Sequence, residues 1–559
     1  MKNTIKTTFN DETIEMECGI TIEQCLIEHN VKIEEDYQNN PIVAAQVNYE
    51  LLPLSYILTF DAIITPIYLF SDLGKRVYRH SICFLLCYAS WKVFPKRQLM
   101  IGHSLGDGYY FHYTDSYILT SNDINKLSQE MERIVKSNLP ITYTNITYEE
   151  GLEYFQNRGA LETVDLINYQ HEPVIAIYKI KNYMDKSYEP LVSHSRILSL
   201  WELRKYESQG MLLRYPRSND FTQLQTFKDN PLLFKVYKEY KKWNQVLHFQ
   251  SLGKLNMNCI NNNINEYIRL AETLQQKKIA KIADDICDRP STRIVFVAGP
   301  SSSGKTTFTN KLGIQLKLLG KCPILISLDN YYRLKEDIPR DENGKHDFEC
   351  LEALDTDLFQ KNVEDLFDNK EIELPSFNFK KNKREYLGNK VSFEEDTILL
   401  IEGIHGLNPK LIPTADKNTT YKIYISALTQ LNLDDHNRIS TTDNRILRRI
   451  TRDNMTRGVS ATTTLSMWAS VQAGENKHIF PYQNNADTML NSALEYELGA
   501  IKPFVEPLLK TVEPSSSMAF AIARRLLAFL SRVHPIAESM VPKDSLLREF
   551  IGGSEFNVT

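Results

Sequence analysis

Residues 293–306 constrain this chain more than any other stretch. The apolar, β-branched run RIVFVA (293–298) opens into Gly299-Pro300-Ser301-Ser302-Ser303-Gly304-Lys305-Thr306, and a helix-forming segment from Thr306 to Leu319 then ends at Gly320. Strand, glycine-bounded loop and helix in that order are the setting a phosphate-binding loop needs. Gly299 and Gly304 let backbone N–H groups turn inward around an anion. The helix N-terminus adds a partial positive charge. In such a loop Lys305 reaches the β- and γ-phosphates and the Thr306 hydroxyl takes a place on Mg²⁺. The bland alternative is a chance glycine-serine turn, which the complete eight-position pattern in its proper context disfavours. The motif implies a nucleotide, not a reaction.

The sequence around the loop agrees with an open parallel sheet. From 291 to 510, short apolar runs (Ile294–Ala298, Ile324–Leu328, Ile398–Ile401, Tyr421–Ile425) alternate with helical stretches, the signature of strands covered by helices on both faces. Ligands of such sheets sit beyond the carboxyl ends of the strands. Asp329 follows the second apolar run and Glu402 the third. At those positions one carboxylate is suited to accept a proton from an attacking hydroxyl and the other to hold Mg²⁺ directly or through water. Asp329 also fits a helix N-cap or a turn. On a helix, Arg445, Arg449 and Arg452 share one face, followed by Arg457-Gly458. That stripe reads as a solvated face or as a lid that closes on phosphate, and a phosphate-handling chain favours the lid.

The remainder of the chain is ordinary in bulk. Its 559 residues exceed what one core accommodates, and 42% hydrophobic with 24% charged residues is typical of a globular protein. A net charge of -5 argues against a chain that coats nucleic acid generally. No segment reaches the roughly 18 uninterrupted apolar residues of a membrane span, and the acids near the start do not suit a signal peptide. Eight cysteines without tight spacing suggest reduced thiols, so a cytoplasmic protein is expected. Short alternating runs over 1–70 predict strands around one helix. Residues 71–225 mix a helix from His80 to Phe94 with aromatic-rich strands, and 230–288 is mostly helix-forming. The C-terminal helix Met518–Val533 carries Met518, Ile522, Leu526 and Leu530 on one stripe, which packs on this chain or on a second copy.

Six segments, GPSSSGKTT (299–307), SLDNYYR (327–333), HDFECLEALD (346–355), LPSFNF (374–379), LLIEGIHGL (399–407) and RRITRDNMTRG (448–458), together resemble the uridine kinase and phosphoribulokinase family. The resemblance implies phosphoryl transfer from ATP to a hydroxyl of a nucleoside of the uridine or cytidine kind, or of a sugar or sugar phosphate. It implies a nucleotide cradle of Gly299, Ser301, Ser302, Ser303, Gly304, Lys305, Thr306 and Thr307, with Mg²⁺ on Thr306 and Glu402. Asp329 matches the family's catalytic base, Arg452 and Arg457 its phosphate-lid arginines. Tyr332, Phe348, Glu349, Phe377, Arg384 and Arg449 match residues of the acceptor site and lid. Three departures weaken uridine recognition: Asn382 in place of a base-reading histidine, Val459 in place of an arginine and Met467 in place of a glutamine.

Residues 1–70, through IVAAQVNYEL (42–51), resemble the TGS domain, a ubiquitin-like β-grasp fold. Residues 71–225, through RHSICFLLCYASWKVFP (79–95) and IGHSLGDGYYF (101–111), resemble the editing-type domain of threonyl- and alanyl-tRNA synthetases. Four residues hold a metal in that family. Here His80 matches the first, while Phe84, Ser187 and Leu191 stand at the others, too few ligands for tetrahedral zinc. A rearranged site on His80, Cys83, Cys87 or His103 is the sharper idea, against the commoner fate of small buried cysteines as core. Tyr109, Tyr110 and Phe111 suit stacking on an RNA base or, more often, a core strand.

The expected architecture is therefore multidomain, α/β and α+β: a β-grasp TGS-like domain (1–70), an α+β editing-like domain (71–225), a helical connector (226–288), a doubly wound P-loop kinase domain (289–510) and a helical tail (511–559). ATP and Mg²⁺ are the expected cofactors. The expected partners are a small acceptor, with RNA contact through the front half and homo-oligomerisation as open alternatives. A nucleotide-switched RNA-binding regulator is the rival reading of another class.

Overall fold

The structure, a computed structural model, describes residues 4–33, 37–106, 108–216, 221–246, 249–340, 344, 346–378, 381–412, 416 and 418–556. Asp107 of the 101–111 motif and Phe379 of the 374–379 motif lie outside the described residues. The chain forms two compact units. One holds Met1–Pro231, Lys241–Met257 and Gln430–Ile439, and the other holds Leu232–Tyr240, Asn258–Thr429 and Ser440–Thr559.

The first unit begins with β1 (Thr4–Phe9), β2 (Glu12–Glu17), α1 (Ile22–Glu28), β3 (Ile42–Val47), β4 (Glu50–Leu52) and β5 (Ala62–Tyr68), in the sheet order β2-β1-β5-β3-β4. β1 and β5 run parallel at its centre and the other neighbours are antiparallel, which is a β-grasp sheet. Ile22, Cys25 and Leu26 of α1 join Ile5, Val47 and Ile64 of the strands in one buried cluster. A reciprocal cap starts this helix: the Thr21 hydroxyl accepts from Gln24 N, and the Gln24 side chain accepts from Thr21 N.

The same unit continues with α2 (Asp72–Val93), β6 (Leu99–Leu105), β7 (Gly108–Tyr113), α3 (Ser121–Lys136), β8 (Thr142–Thr147), α4 (Tyr148–Arg158), α5 (Leu161–Gln170), β9 (Val174–Ile180), β10 (Tyr183–Asp185), β11 (Glu202–Tyr206) and β12 (Gly210–Arg214). Two antiparallel sheets result, β11-β12-β7-β6 and β10-β9-β8. α2 is buried without interruption from Ser81 to Ser90, as a helix apolar on all faces must be. It starts two turns before the apolar periodicity does, because Ser71 caps it by accepting from Gly74 N. Cys83, Phe84 and Cys87 on α2, Tyr109 and Phe111 on β7, and Leu191 all lie in one apolar core.

Residues 430–439 follow a strand of the second unit in sequence yet belong to the first. Asn432 donates to the Ile101 carbonyl, the Asp435 carboxylate accepts from Thr163 N and Oγ1, and His436 Nδ1 meets Asp185 at 2.5 Å.

Between the two sheets of the first unit and the next strand lie α6 (Pro231–Val246), α7 (Leu252–Ile260) and α8 (Ile264–Cys287). The second unit is then built from β13 (Ile294–Ala298), α9 (Lys305–Leu318), β14 (Cys322–Ser327), α10 (Thr356–Phe367), the hairpin β15 (Ile372–Asn378) and β16 (Lys383–Val391), β17 (Thr397–Glu402), β18 (Thr420–Ser426), α11 (Thr441–Arg457), α12 (Ala461–His478), β19 (Thr488–Asn491), α13 (Glu497–Lys510), α14 (Ser517–Leu530) and α15 (Arg548–Ile551). Five strands pair in parallel in the order β14-β17-β13-β18-β19. Every residue of β13 and β17 is buried, which explains their unbroken apolar runs. The order reverses beside β13, so a crevice opens at its carboxyl end, where the phosphate loop begins.

α11 is fixed to this sheet by a buried ion pair. Arg448 donates to the Glu497 carboxylate and to the Ser492 carbonyl, while Asn444 donates to the same carboxylate. Both charged side chains are almost wholly buried, so removing one leaves the other uncompensated. Glu497→Ala is expected to destabilise the protein by about 3–5 kcal/mol, read as a lower urea midpoint.

Candidate active site

The loop after β13 turns hard. A Cβ on Gly299 would collide with the Ile425 carbonyl of the neighbouring strand, so only glycine lets the backbone pass there. Ser302 and Gly304 adopt left-handed φ values of 58° and 84°. These reversals form the concave run of N–H groups that ends at the first turn of α9. The Lys305 ammonium lies back over the loop, donating to the Gly299 carbonyl at 3.1 Å and the Pro300 carbonyl at 3.3 Å. The Ser302 and Ser303 hydroxyls are buried and make no hydrogen bond.

Two carboxylates from adjacent strand ends face this lysine. Glu402, the last residue of β17, accepts from the Ser327 hydroxyl at 2.6 Å and from the Thr306 hydroxyl at 3.5 Å. Burial, followed by the charge of Asp329, pushes its carboxyl up to about 7, against the opposing pull of Lys305 and Ser327. Asp329 sits in a short 3₁₀ turn directly after β14. Its charge also reaches Tyr332 and Glu349, so the three acids and the tyrosine share one electrostatic neighbourhood. The Thr306 hydroxyl and the Glu402 carboxylate, which meet here, are oxygen donors that would suit a small divalent cation.

The arginine stripe of α11 divides into two groups. Arg445 donates through Nε to the Ser301 carbonyl and is paired with the buried Glu475, which also accepts from Ser301 N. Arg449 donates to the Ser301 hydroxyl at 3.0 Å. These contacts, with that of Arg448 to the Ser302 carbonyl, clamp the outside of the loop. Further along the helix, Asp453 is ringed by Arg449, Arg452 and Arg457 at 3.2, 2.8 and 3.7 Å. Burial alone would raise the Asp453 carboxyl, but the three arginines outweigh it and hold it low. Burial and the neighbouring Arg452 lower the Arg457 guanidinium. Arg452 and Arg457 are thus stored on a common carboxylate beside the loop.

The acceptor candidates gather on the other side. The Tyr332 hydroxyl donates to the Phe348 carbonyl, and its ring lies 6.3 Å from that of Phe377 at a 57° tilt. Phe377 N donates to the Asn330 side chain, and Arg384 bridges Asp355 and the Tyr332 carbonyl. Phe348 is 38% exposed, an open aromatic face. The Glu349 carboxyl, pressed against Gly474, is pushed up to about 7 by burial, with Arg449 opposing and Glu475 adding to the rise. Asn382 lies in the β15–β16 turn at a left-handed φ of 49°, and Met467 is 44% exposed on α12.

Sequence reasoning missed Glu475, Ser327, Asp453 and Glu549. Glu475 lies in the last turn of α12 with no motif of its own, and Ser327 was hidden inside the SLDNYYR run beside a more conspicuous acid. Asp453 stood in plain view at the end of the arginine cluster, where alternating charge was the available signal.

Residues 294–497 match the model of the phosphoribulokinase / uridine kinase family, and the N-terminal region matches threonine–tRNA ligases. The chain is 29% identical over 201 residues to a uridine kinase of Staphylococcus aureus, covering 36% of this chain and 87% of that one. It is 31% identical over 160 residues to the threonine–tRNA ligase of Desulforamulus reducens, covering 28% of this chain and 25% of the ligase. The chain thus spans about a quarter of the length of that ligase. Among solved structures, the D-glycerate 3-kinase of Cryptococcus neoformans aligns at 14% identity with a TM-score of 0.21, covering 45% of this chain and 87% of that one. The chain thus joins a region similar to threonine–tRNA ligases to a kinase domain, residues 294–497, that matches the phosphoribulokinase / uridine kinase family model. Among the described residues no helix is long and apolar enough to cross a membrane.

The raised Glu402 fixes the sign of a pH effect. The folded state holds a proton there between about 4.5 and 7 while the unfolded chain has released it, so stability falls as pH rises through that window. Glu402→Gln is expected to unfold at higher urea than the parent above pH 7 and to lose that advantage below pH 5.

Proposed function

We propose that the protein transfers the γ-phosphoryl group of ATP to a hydroxyl of a nucleoside-like acceptor. The observation that supports this best is the convergence of Lys305, Thr306, Glu402 and Asp329 at one strand edge. The loop N–H groups and Lys305 would hold the phosphates, and Thr306 with Glu402 would hold Mg²⁺, which would supply neutralising charge. Asp329 takes the proton of the attacking hydroxyl, and Arg452 with Arg457 moves from Asp453 onto the transferring group. An acceptor base lies against Tyr332, Phe348 and Phe377, while Glu349 and Arg384 receive its sugar. A Glu349 carboxyl near 7 is able to donate as well as accept, which suits hydroxyl recognition.

The departures at Asn382, Val459 and Met467 favour a broad or altered base preference over strict uridine specificity. The domain division of the sequence reading stands as our assignment: TGS-like over 1–70, editing-like over 71–225, connector over 226–288, kinase over 289–510 and tail over 511–559. In the editing-like part, Phe84 and Leu191 are core residues where the relatives' metal ligands are expected, so we assign that part a binding role and no hydrolysis. The ligase match supports RNA as its ligand. We place the protein in the cytoplasm.

The test is release of ADP by purified protein with Mg²⁺ and ATP across a panel of nucleosides and sugars, beside Asp329→Asn. One acceptor should raise turnover well above background, and the variant should lose about 10²–10⁴-fold in kcat with nucleotide affinity retained. Equal ADP release with every acceptor and in the variant would reject the kinase reading.

A further inference from the structure

The chain beyond α14 returns to the phosphate loop. Residues 544–552 lie in the same compact unit as the loop and meet the loop, α9 and α11 through four side chains. The Lys311 ammonium donates to the Asp544 carbonyl at 2.8 Å and is paired with its carboxylate at 3.2 Å. The Leu546 side chain occupies the space over Gly304 where a Cβ would stand. Glu549 Oε2 accepts from Thr307 N at 3.1 Å and from Thr307 Oγ1 at 2.8 Å. The Phe550 ring lies 4.7 Å from the guanidinium of Arg448. Glu549 is 8% exposed, and Leu546 and Phe550 are wholly enclosed.

Thr307 is the third residue of α9, so its N–H has no partner within the helix. The first-turn N–H groups of a phosphate loop are the donors that receive the nucleotide's α- and β-phosphates. Here a carboxylate already holds one of them, together with the adjoining hydroxyl. A phosphate oxygen needing the same donors would meet that carboxylate at contact distance, and two anions desolvated side by side repel strongly.

Arg548 ties the segment to the stretch before it: its guanidinium is paired with Glu538 at 2.6 Å and donates to the carbonyls of Val541 at 2.6 Å, Glu538 at 3.0 Å and Gly552 at 3.2 Å. These bonds are kept when 538–552 move together, whereas Asp544 gives up Gln276 and Ser545 gives up Tyr496.

We propose that residues 544–552 form an intrasteric strap in which Glu549 stands in for a nucleotide phosphate on Thr307, so that ATP binds only when the strap lifts. This inference rests on reading the loop as the ATP site. The strap makes apparent nucleotide affinity the product of intrinsic affinity and the fraction of molecules with the strap open.

The test uses the full-length chain and a fluorescent methylanthraniloyl-ATP. Glu549→Gln keeps the side-chain shape and removes its charge, and Leu546→Ala loosens the cover over Gly304. Each is expected to bind the probe about 10-fold more tightly than the parent, the scale of one charge-assisted hydrogen bond. Hydrogen exchange on the unmodified protein is the second measurement, and Mg²⁺-ATP should speed exchange across 544–552. Equal or weaker probe binding by both variants, or exchange at 544–552 that ATP leaves unchanged or slows, overturns the strap while leaving the kinase reading in place. Failure of the parent and both variants to bind the probe overturns both.

Discussion

Negative charge gathered at one strand edge, opposed by Lys305 and the arginines of α11, is the constraint on which the kinase unit turns. Glu402 and Asp329 arrive from neighbouring strand ends because a parallel sheet delivers every carboxyl terminus to one edge. Glu349 and Glu549 add to the same field. Lys305, turned back onto the loop carbonyls, balances only part of it. Burial together with this crowding raises the carboxyls of Glu402 and Glu349. The arginines obey the same economy. Arg445 and Arg448 are spent on Glu475 and Glu497 to position the helix, and Arg452 and Arg457 wait on Asp453.

The elements closest to that constraint were the most legible in the sequence. The apolar runs at 294–298, 398–401 and 421–425 fall within strands of the sheet, since strands buried on both faces must be apolar throughout. The hairpin β15–β16 escaped notice because its second strand is mostly exposed and polar, so periodicity carried little signal. The first two turns of α2 escaped for a related reason: Lys75, Arg76 and Arg79 mask a helix whose start depends on one serine cap. At the candidate site, residues within contiguous motifs were found, whereas Glu475 and Glu549 come from distant helices. Their contacts with Ser301 and Thr307 span 174 and 242 positions, a relation no local pattern encodes.

Residues 430–439 show the same limit at the level of architecture. In sequence they sit inside the kinase segment, between β18 and α11, and a linear reading assigns them there. Their hydrogen bonds go instead to Ile101, Thr163 and Asp185. Asp435 and His436 satisfy buried polar groups beside the α2 core, where Cys83 and Cys87 are packed. A buried polar group must be paired wherever its partner comes from in sequence. The ligase-like part therefore has a core that its own contiguous stretch does not complete, which explains why composition changes could not locate its limits.

The strap and the arginine helix meet at Arg448. Its guanidinium donates to Glu497 and to the loop carbonyl of Ser302, and the Phe550 ring lies 4.7 Å from it. An arginine so placed keeps its charge while sharing it between a carboxylate and an aromatic face. Lifting Phe550 does not unpair Arg448, so the loop clamp survives without the strap. Within one side chain's reach, the same arginine holds the helix through Glu497 and braces the loop through Ser302.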